Sequence, residues 1–325
     1  MHLKDKNILV TGGTGFIGSA VVNKLINQGC EINIISMPGD STWRIDDISK
    51  CRLYEINLLN PQKTEKCIDD IKPEIIFHIA GIIDTRISRE SINTAFSLNL
   101  EVTKNLLLAL NNYDYELFLN TGSGNEYGNN EPPFYEDARE NPISPYSASK
   151  IAQTYFSRMI SNVYEKPIIT VRPFLIYGPK QISRSLIPSL IYSGLEKKKL
   201  SLTPCEQTRD FIYVEDVADA YLSLAIHLKK IIKKEIFNIG SGIGTQLLEV
   251  VNLIKEQMDD TKFFIGDKPY RPGETMNHYS SIDKIKDIVN WTPKWTLKEG
   301  IKATIKWWQD NRDKWINQEQ LWVRD

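Results

Sequence analysis

A turn built on three evenly spaced glycines, Gly12, Gly15 and Gly18, constrains this chain more than any other feature of its sequence. The turn follows residues 7–10, an apolar and partly β-branched run that predicts a buried parallel strand. An amphipathic helical pattern comes next, with Gly29 as its predicted stop. Because glycine has no Cβ, the backbone N–H groups of such a turn can approach a phosphate, which the helix N-terminus also attracts. The segment therefore predicts a cradle for the pyrophosphate of a dinucleotide.

Strand-like runs recur along the chain, and most of them are separated by segments with helical periodicity. This alternation is typical of a parallel, doubly wound sheet with right-handed crossovers. The expected fold class is therefore α/β, a Rossmann-type sheet with a smaller, discontinuous C-terminal lobe. The later predicted strands are residues 31–36, 52–56, 74–79, 116–121, 167–172 and 235–239, and two long helices are predicted at 94–111 and 145–163.

The alternation is interrupted after Tyr177, where prolines break short apolar runs, and it resumes from Arg209 to Gly240. We therefore expect a second lobe that is inserted there and completed by the C-terminal third. The predicted boundaries are residues 1–176 and 205–245 for a dinucleotide-binding domain, and 177–204 and 246–325 for the second lobe. The tryptophans near the end, which are expected in packing or interface positions, are Trp307, Trp308, Trp315 and Trp322.

Composition and charge exclude several classes of protein. The chain has 325 residues, 41% of them hydrophobic, so it can bury a sizeable core. Its net charge of −1 argues against a protein that binds nucleic acid by neutralising phosphates. No apolar stretch is long enough to span a membrane, and the N-terminus lacks the apolar region of a signal peptide. We therefore expect a cytoplasmic protein with no nucleic-acid and no membrane partner.

The cysteines and histidines also limit the possible chemistry. The four cysteines show no paired spacing, as expected of free thiols in a reducing compartment. The four histidines show no metal-ligand spacing, so no metal site is predicted. His78 lies inside a strand-like run, and it is expected to be a buried, hydrogen-bonded core residue.

Tyr146 and Lys150 lie four residues apart where a helix is expected to begin, with Ser144 as its N-cap and Pro145 in its first turn. That spacing places the phenol and the ammonium on one helix face. A positive charge near a tyrosine favours the phenolate, so Lys150 is expected to lower the pKa of Tyr146. Ser123 follows a predicted strand, at the sheet edge where doubly wound folds bind ligands. Together these groups predict a site that passes a proton to or from a hydroxyl or carbonyl.

These motifs resemble the extended short-chain dehydrogenase/reductase family of nucleotide-sugar epimerases, dehydratases and reductases, over nearly the whole chain. Further matches to the family are Asn57-Leu58, Ala80-Gly81, Asn99 and Arg172-Pro173-Phe174. In that family, hydride moves between the nicotinamide C4 and a sugar carbon while the tyrosine transfers the hydroxyl proton. The lysine holds the nicotinamide ribose, and the serine hydrogen-bonds the same sugar oxygen. The resemblance therefore implies these catalytic roles for Tyr146, Lys150 and Ser123.

The resemblance also implies which residues contact the dinucleotide. They are Gly12, Thr14, Gly15, Phe16, Ile17, Gly18, Ser36, Arg44, Asn57, Leu58, Ala80, Gly81, Asn99, Tyr146, Lys150 and Phe174. An acidic residue directly after the second strand would hold the ribose 2′-OH of NAD and repel the 2′-phosphate of NADP. Here the first carboxylate is Asp40, and Arg44 comes after it. We therefore expect NADP(H) in preference to NAD(H), with Ser36 and Arg44 near the phosphate, unless Arg44 simply faces solvent.

A nucleoside-diphosphate sugar is the implied substrate. Arg209 and Arg271 resemble the arginines that bind its diphosphate, where guanidinium groups donate charge-assisted hydrogen bonds. The other expected substrate contacts are Asp84, Arg86, Ser123 and Asn125, although Asp84 and Arg86 could equally form a surface ion pair. Leu175 departs from the family, which often has asparagine there, so the identity of the nucleotide is not carried over. Members of the family are commonly homodimers that pair the helices at 94–111 and 145–163, which implies a homodimer here.

The residues directly after Ser123 narrow the choice of reaction. Family dehydratases usually carry an Asp-Glu pair there as acid and base, whereas this chain has Gly124 and Asn125, and Glu126 is not expected to replace both groups. Dehydration is therefore not expected, and 4-keto reduction and 4-epimerisation remain. The sequence around Arg209 most resembles reductases such as CDP-abequose or dTDP-fucose synthases. The first hypothesis is NADPH-dependent reduction of a nucleotide-linked 4-keto-6-deoxyhexose for surface-polysaccharide synthesis. The alternative is a 4-epimerase with tightly held NAD, and the intact Tyr146–Lys150 pair argues against a non-catalytic dinucleotide sensor.

Overall fold

The computed structural model describes residues 3–181, 185–231, 235–271 and 273–315. Its strands are β1 (Asn7–Thr11), β2 (Glu31–Ser36), β3 (Cys51–Glu55), β4 (Ile75–His78), β5 (Leu117–Thr121), β6 (Ile168–Pro173), β7 (Leu175–Tyr177), β8 (Lys199–Ser201), β9 (Thr208–Tyr213), β10 (Ile236–Ile239), β11 (Gly244–Gln246), β12 (Lys262–Phe264) and β13 (Asn277–His278). Its α-helices are α1 (Phe16–Leu25), α2 (Pro61–Ile71), α3 (Arg89–Ala95), α4 (Val102–Ala109), α5 (Pro145–Val163), α6 (Leu186–Leu195), α7 (Val214–Ile226), α8 (Leu247–Lys255), α9 (Asp283–Val289) and α10 (Leu297–Asp310).

A seven-stranded parallel sheet forms the larger layer, with the strand order β3-β2-β1-β4-β5-β6-β10. Its inner strands are buried along nearly their whole length, as in sheets that helices cover on both faces. The predicted doubly wound α/β fold is therefore confirmed. The order of the strands reverses between β1 and β4, and ligands of such sheets bind beyond the carboxyl ends of the strands at that point. The glycine turn and Ala80-Gly81 leave the sheet at this place, and Ser123 leaves the neighbouring β5.

The helical segment predicted at 94–111 begins earlier and is not uniform. Ser88 accepts the N–H of Ser91 as the N-cap of α3, so the helix starts upstream of the apolar pattern. Phe96–Glu101 form a π-helical turn between α3 and α4. The predicted limits are therefore wrong, because the serine cap precedes the first periodic residue. The helix predicted at 145–163 is α5, and its cap is Ser144 as expected.

The end of α1 also differs from the prediction. The helix stops at Leu25, and Gly29 lies at the end of the turn that comes next, with a φ of 70°. Gly29 therefore closes a turn rather than the helix itself. A positive φ is the conformation for which glycine is favoured, so the residue type fits although its assigned place does not.

A second, smaller layer is built from short strands. β9 lies between β11 and β13 and also pairs with β7, and β12 pairs with β8. Residues of α6, α8 and α10 pack on these strands in one hydrophobic cluster that includes Trp308 and Trp315, and Trp307 packs against it. Trp322 lies outside the described residues. The sequence groups residues 205–245 with the larger domain, and of these β9 and β11 lie in the smaller layer, whereas β10 lies in the large sheet.

One loop of the larger layer is fastened to the smaller one. After β2, the indole of Trp43 stacks on Trp307 of α10 with 6.0 Å between ring centroids. Arg44 Nε donates to the carbonyl of Lys180 at 2.9 Å, and Lys180 Nζ donates to the carbonyl of Arg44 at 2.9 Å. Lys180 Nζ also lies 2.6 Å from a carboxylate oxygen of Asp46. We call these five residues the cross-layer contact.

Candidate active site

The glycine turn after β1 packs directly against the loop after β4. Gly12 has a φ of 67°, and a Cβ placed on it would lie 2.9 Å from the backbone of Ala80. A Cβ on Gly18 would lie 2.1 Å from the carbonyl oxygen of Gly12. Neither glycine can therefore carry a side chain unless the backbone moves, which is the close approach expected of a dinucleotide turn.

The first turn of α1 is open to an anion. Gly15 is the N-cap of this helix, and it has no side chain to satisfy the first N–H groups. These groups and the positive end of the helix dipole attract phosphate. Thr14, Phe16 and Ile17 border the same turn. The turn and the helix end together fit the pyrophosphate of a dinucleotide cofactor.

The end of β2 carries a negative charge rather than a free positive one. Asp40 Oδ2 accepts the hydroxyl of Thr14 and the N–H of Met37, each at 3.2 Å. The hydroxyl of Ser36 is buried and finds no hydrogen-bond partner among the described residues. Arg44 instead belongs to the cross-layer contact, with its guanidinium 4.5 Å from the ring of Trp43. Burial lowers the pKa of Arg44 to about 10.

Further predicted cofactor residues shape the loops after β3 and β4. Asn57 Oδ1 accepts the N–H of Leu59 and fixes the turn in which Leu58 is buried. Asn99 lies in the π-helical turn, where its Oδ1 accepts the N–H of Ile82 and its Nδ2 donates to Ser149 of α5, each at 2.9 Å. A Cβ on Gly81 would lie 2.7 Å from Asn99 Oδ1 and 3.2 Å from Lys150 Nζ. Asn99 thus ties the β4 loop to the helix that carries Tyr146.

The structure brings the three predicted catalytic side chains together. Tyr146 lies in the first turn of α5, and Ser123 caps a 3₁₀ turn, Gly124–Glu126, that comes after β5. The hydroxyl of Ser123 accepts the N–H of Asn125 at 3.1 Å and interacts with the buried phenol of Tyr146. Lys150 lies one turn further along α5, and its Nζ donates to the carbonyl of Thr121 at 2.9 Å.

The proton affinities of this pair differ from the sequence-based expectation. Burial raises the pKa of Tyr146 to about 12, and the hydroxyl of Ser123 lowers it in part. The net shift is upward, against the expected lowering by Lys150, because burial outweighs the other contributions; Lys150 Nζ donates to Thr121 and, at 3.0 Å, to Gln153. Burial also lowers the pKa of Lys150 to about 8. At neutral pH the site therefore offers a protonated phenol and an ammonium that gives up its proton more readily than an ordinary lysine.

Sequence reasoning missed a buried ion pair directly behind Ser123. Glu126 Oε1 accepts the backbone N–H of Ser123 at 2.8 Å, and Oε2 accepts Nε of Arg172 at 2.9 Å. Both side chains of the pair are fully buried. A Cβ on Gly122 would lie 2.3 Å from Glu126 Oε1, so this glycine makes room for the carboxylate, which only the structure reveals. Glu126 is therefore engaged by Arg172 and is not aimed at substrate as a free acid or base.

The residues predicted to contact substrate are mostly less buried than Ser123, Tyr146 and Lys150. Arg209 on β9 is partly buried, and its Nη2 donates to Glu274 at 2.8 Å. Arg271 is exposed. Asp84 and Arg86 form an ion pair at 2.9 Å in which the arginine side chain is 80% exposed, the surface pair left open by the sequence. Asn125, half-buried, lies in the 3₁₀ turn after Ser123.

A histidine that the sequence did not single out links the smaller layer to this turn. His278 on β13 stands opposite Arg209 of β9, and its Nε2 lies 3.1 Å from the carbonyl oxygen of Gly124. The rings of Phe134 and Phe174 pack on it at 5.0 and 5.2 Å. Burial lowers the pKa of His278 to about 4, so the neutral ring donates from Nε2 at physiological pH. Phe174, a predicted cofactor contact, is thus part of the packing that holds the turn.

His78 has the role that the sequence predicts. Its ring nitrogens lie 2.8 Å from the hydroxyl of Thr11 and 2.7 Å from that of Thr103, and burial lowers its pKa to about 3. All four cysteines are free thiols. Within the described ranges, no cluster of histidine, cysteine or carboxylate side chains could hold a metal ion. None of the helices in that same part of the chain combines the length and the apolar character needed to cross a bilayer.

Known proteins are similar to this chain in sequence and in fold. The chain is 32% identical to a putative UDP-glucose 4-epimerase of Methanocaldococcus jannaschii, over 94% of this chain and 99% of that protein. It is 28% identical to the dTDP-D-glucose 4,6-dehydratase of Bos taurus, over 97% of this chain and 92% of that protein. The crystal structure of a UDP-glucuronic acid 4-epimerase from Bacillus cereus, in complex with UDP-glucuronic acid and NAD, matches with a TM-score of 0.82 at 26% identity, covering 93% of this chain and 99% of that one.

The family model for the NAD dependent epimerase/dehydratase family matches residues 8–240. That span contains the glycine turn, Ser123, Tyr146 and Lys150, which are the groups that the structure gathers at the carboxyl edge of the large sheet. Since the match covers most of the chain, this NAD(P)-dependent enzyme belongs to the NAD-dependent epimerase/dehydratase family.

Proposed function

We propose that this protein is an NAD-dependent 4-epimerase of a nucleoside-diphosphate sugar. The observation that carries the proposal is the buried site formed by Tyr146, Ser123 and Lys150, in which Gly124 and Asn125 supply no carboxylate. With a dinucleotide as hydride acceptor, such a site could move the proton in oxidation and reduction of a carbinol carbon, but it lacks the acid and base that elimination of water requires. The similarity to 4-epimerases from Methanocaldococcus jannaschii and Bacillus cereus supports the same reaction.

Tyr146 is the proton carrier in this proposal. Its phenol takes the proton of the sugar 4-hydroxyl when C4 is oxidised, and it returns a proton to that oxygen when the carbonyl is reduced. The hydroxyl of Ser123 hydrogen-bonds the same sugar oxygen. A bound NAD supplies the hydride acceptor and the positive charge of its ring. Since burial raises the pKa of Tyr146 to about 12, deprotonation of the phenol depends on positive charge brought next to it. Lys150, one turn further along α5, is the protein's candidate source of that charge.

The geometry favours NAD(H) over the NADP(H) that the sequence suggested. Asp40 places a carboxylate beside Thr14 of the glycine turn, where it would repel a 2′-phosphate and accept a ribose hydroxyl. Arg44, the residue proposed to hold that phosphate, is engaged by Lys180 and Trp43. The Bacillus cereus relative also contains NAD.

The second candidate is the reductase of a nucleotide-linked 4-keto-6-deoxyhexose, as in deoxysugar synthesis for surface polysaccharide. It is favoured by the stretch Glu206 to Phe211, which resembles such reductases. Leu175, 39% exposed at the start of β7, bears on the pose of the substrate in either candidate. In many members an asparagine that contacts the substrate phosphate holds this position. An apolar group there fits a different pose of the sugar nucleotide.

Two assays on the purified protein separate these candidates. The first denatures the protein, identifies any released dinucleotide, and follows UDP-glucose, UDP-N-acetylglucosamine and UDP-glucuronic acid by NMR without added cofactor. Inversion at C4 with retained NAD is the expected result. The second mixes NADH or NADPH with CDP-, dTDP-, GDP- and UDP-4-keto-6-deoxyhexoses and follows the reduced-nicotinamide absorbance. Stoichiometric loss of that absorbance, without inversion in the first assay, would overturn the epimerase in favour of the reductase.

We further propose that the larger layer holds the dinucleotide, that the smaller layer holds the sugar nucleotide, and that the chain forms a homodimer through α5. Tyr155, Met159 and Val163 succeed one another at four-residue spacing on this helix and are 50%, 40% and 64% exposed. An apolar stripe of this kind fits a partner helix. Light scattering should report a dimer for the wild type and a monomer for Met159→Glu, and a monomeric wild type would contradict the assembly.

A further inference from the structure

We propose that Glu126 is a positioning residue for the reaction, because its carboxylate fixes the turn that carries Ser123 and keeps a negative charge behind Tyr146 and Lys150. The inference rests on the proposed function only in assigning proton transfer to Tyr146. It gives a role to a buried charge that substrate cannot reach.

The contacts of Glu126 are all with donors. Oε1 accepts the N–H of Ser123 at 2.8 Å and the hydroxyl of Thr154 at 3.2 Å. Oε2 accepts Nε of Arg172 at 2.9 Å and lies 2.8 Å from its Nη2. Burial raises the pKa of Glu126, but the N–H of Ser123 and the guanidinium of Arg172 can only donate, and Thr154 alone could accept a carboxyl proton, so the arrangement fits the ionised form. A carboxylate that accepts a backbone N–H at the N-cap fixes the direction in which the Ser123 side chain leaves the turn.

The same carboxylate joins the elements that build the site. Thr154 lies on α5, two turns after Tyr146, and Arg172 lies on β6. Arg172 Nη2 also donates to Glu140 at 2.5 Å, and Glu140 in turn accepts the hydroxyl of Tyr155 at 3.0 Å. Buried ion pairs add little net stability, because desolvation offsets their attraction. The pair of Glu126 and Arg172 is therefore better explained by the turn that Glu126 positions than by the stability it adds.

The charge of Glu126 also acts on the catalytic pair. The titratable and charged groups that face it or its ion pair from the neighbouring elements are Lys150, Tyr146 and Tyr155 on α5, Arg172 on β6, Tyr127 beside it, Glu136 and Glu140 in the next loop, and His278 on β13. Its negative charge raises the pKa of Tyr146 and that of Lys150. Removing the charge should therefore lower both pKa values.

Glu126→Gln in the holoenzyme is the principal test, since it removes the charge and keeps the shape. With the nucleotide sugar that proves active, we expect kcat to fall about tenfold or more while KM stays within about twofold. We also expect the alkaline limb of the kcat–pH profile to move down by about half a pH unit or more. Tyrosinate absorbance gives a readout that needs no turnover, taken as the difference between each protein and its Tyr146→Phe counterpart, and its midpoint should move the same way.

Two further variants separate the effect of the negative charge of Glu126 from the effect of its side-chain length. Glu126→Asp keeps the charge and shortens the side chain, so kcat should fall while the alkaline limb stays in place. Glu140→Gln removes a carboxylate from the same guanidinium without touching Ser123, so both the limb and kcat should stay close to wild type.

Each outcome decides the inference. A Glu126→Gln enzyme with wild-type kcat and an unmoved limb overturns it, and so does a Glu140→Gln enzyme that shifts the limb equally. If Glu126→Gln does not fold, a Glu126→Asp enzyme with wild-type kcat overturns the positioning role, and one with a reduced kcat supports it. If Tyr146→Phe keeps full activity, the proposed function fails. If Tyr146→Phe is inactive and Glu126→Gln is unchanged, only the positioning role of Glu126 fails.

Discussion

The residues proposed to bind the cofactor and those proposed to bind the sugar nucleotide are held by different kinds of constraint. On the cofactor side, Gly12 and Gly18 are fixed by backbone that approaches closer than any Cβ would allow. On the proposed sugar side, the two diphosphate arginines are long side chains, with Arg209 paired to Glu274 and Arg271 exposed. A constraint on the backbone can be recognised in the sequence, because it requires glycine at fixed spacing. The partner of a long side chain cannot be recognised in this way, because it depends on the whole fold. Substitutions on each side can test this difference.

Tyr146→Phe is expected to have the largest effect, because Tyr146 stands where the two sides meet. Removing a general acid–base group should lower turnover by about a hundredfold or more. The dinucleotide should still bind, since the glycine turn is untouched. Turnover and dinucleotide content are the measurements. Tyr164→Phe, at the exposed end of the same helix, is the control and should leave both unchanged. Loss of dinucleotide in Tyr146→Phe would show that this residue serves binding rather than proton transfer.

The backbone constraint can be broken at Gly12. An alanine there must adopt a positive φ, which costs about 1–2 kcal/mol, and its Cβ would also meet Ala80 at 2.9 Å. Gly39→Ala is the matched control, because Gly39 has a φ of 83° but nothing within 4 Å of a Cβ. We expect Gly12→Ala to lose more unfolding free energy than Gly39→Ala and to weaken dinucleotide binding about tenfold or more. Equal losses in denaturant titrations would mean that contact with Ala80 is unimportant.

Acid should weaken the two layers through one histidine each. The pKa of His78 is lowered to about 3 and that of His278 to about 4, so both rings are neutral in the folded protein and take up protons on unfolding. Their contribution to stability is present above the ordinary histidine value of about 6.5 and is lost as the pH falls below it. Each histidine should lower the free energy of unfolding by about 2 kcal/mol at pH ~5 relative to neutral pH.

His278→Gln tests this assignment and keeps an N–H donor for the carbonyl of Gly124. Urea titrations at about pH 7 and 5 should show a smaller acid loss in this variant than in the wild type, by about 2 kcal/mol. An identical loss in both proteins would show that His278 does not take up a proton on unfolding.

The sugar side is tested by paired arginine variants. Arg209→Met should raise the KM of the sugar nucleotide about tenfold, because the guanidinium is held in place by Glu274 and can donate charge-assisted hydrogen bonds. Arg271→Met should raise it less, since an exposed arginine must first be ordered. Arg86→Met is the control and should change KM by less than about twofold. A larger effect at Arg271 would reverse the ranking that burial suggests.

The sequence predicted the fold and the grouping of Ser123, Tyr146 and Lys150 at one edge of the sheet, because each depends on local rules. Alternating strands and helices specify a parallel sheet, and four-residue spacing places Tyr146 and Lys150 on one helix face. The raised pKa of Tyr146 could not be predicted, since it depends on burial and on the direction that Lys150 takes toward Thr121. The ion pair of Glu126 and Arg172 was missed because 46 residues separate its partners along the chain.

The cross-layer contact determines how the molecule comes apart. Trp43, Arg44 and Asp46 come after β2, next to the edge strand of the large sheet, and their partners Lys180 and Trp307 belong to the smaller layer. Loops open in local unfolding at a lower free energy than core strands and helices do. Here that edge cannot loosen without releasing α10 from its stacking partner. Heating should therefore unfold both layers in one cooperative transition. A calorimetric trace with two separate peaks would show that the cross-layer contact does not couple them.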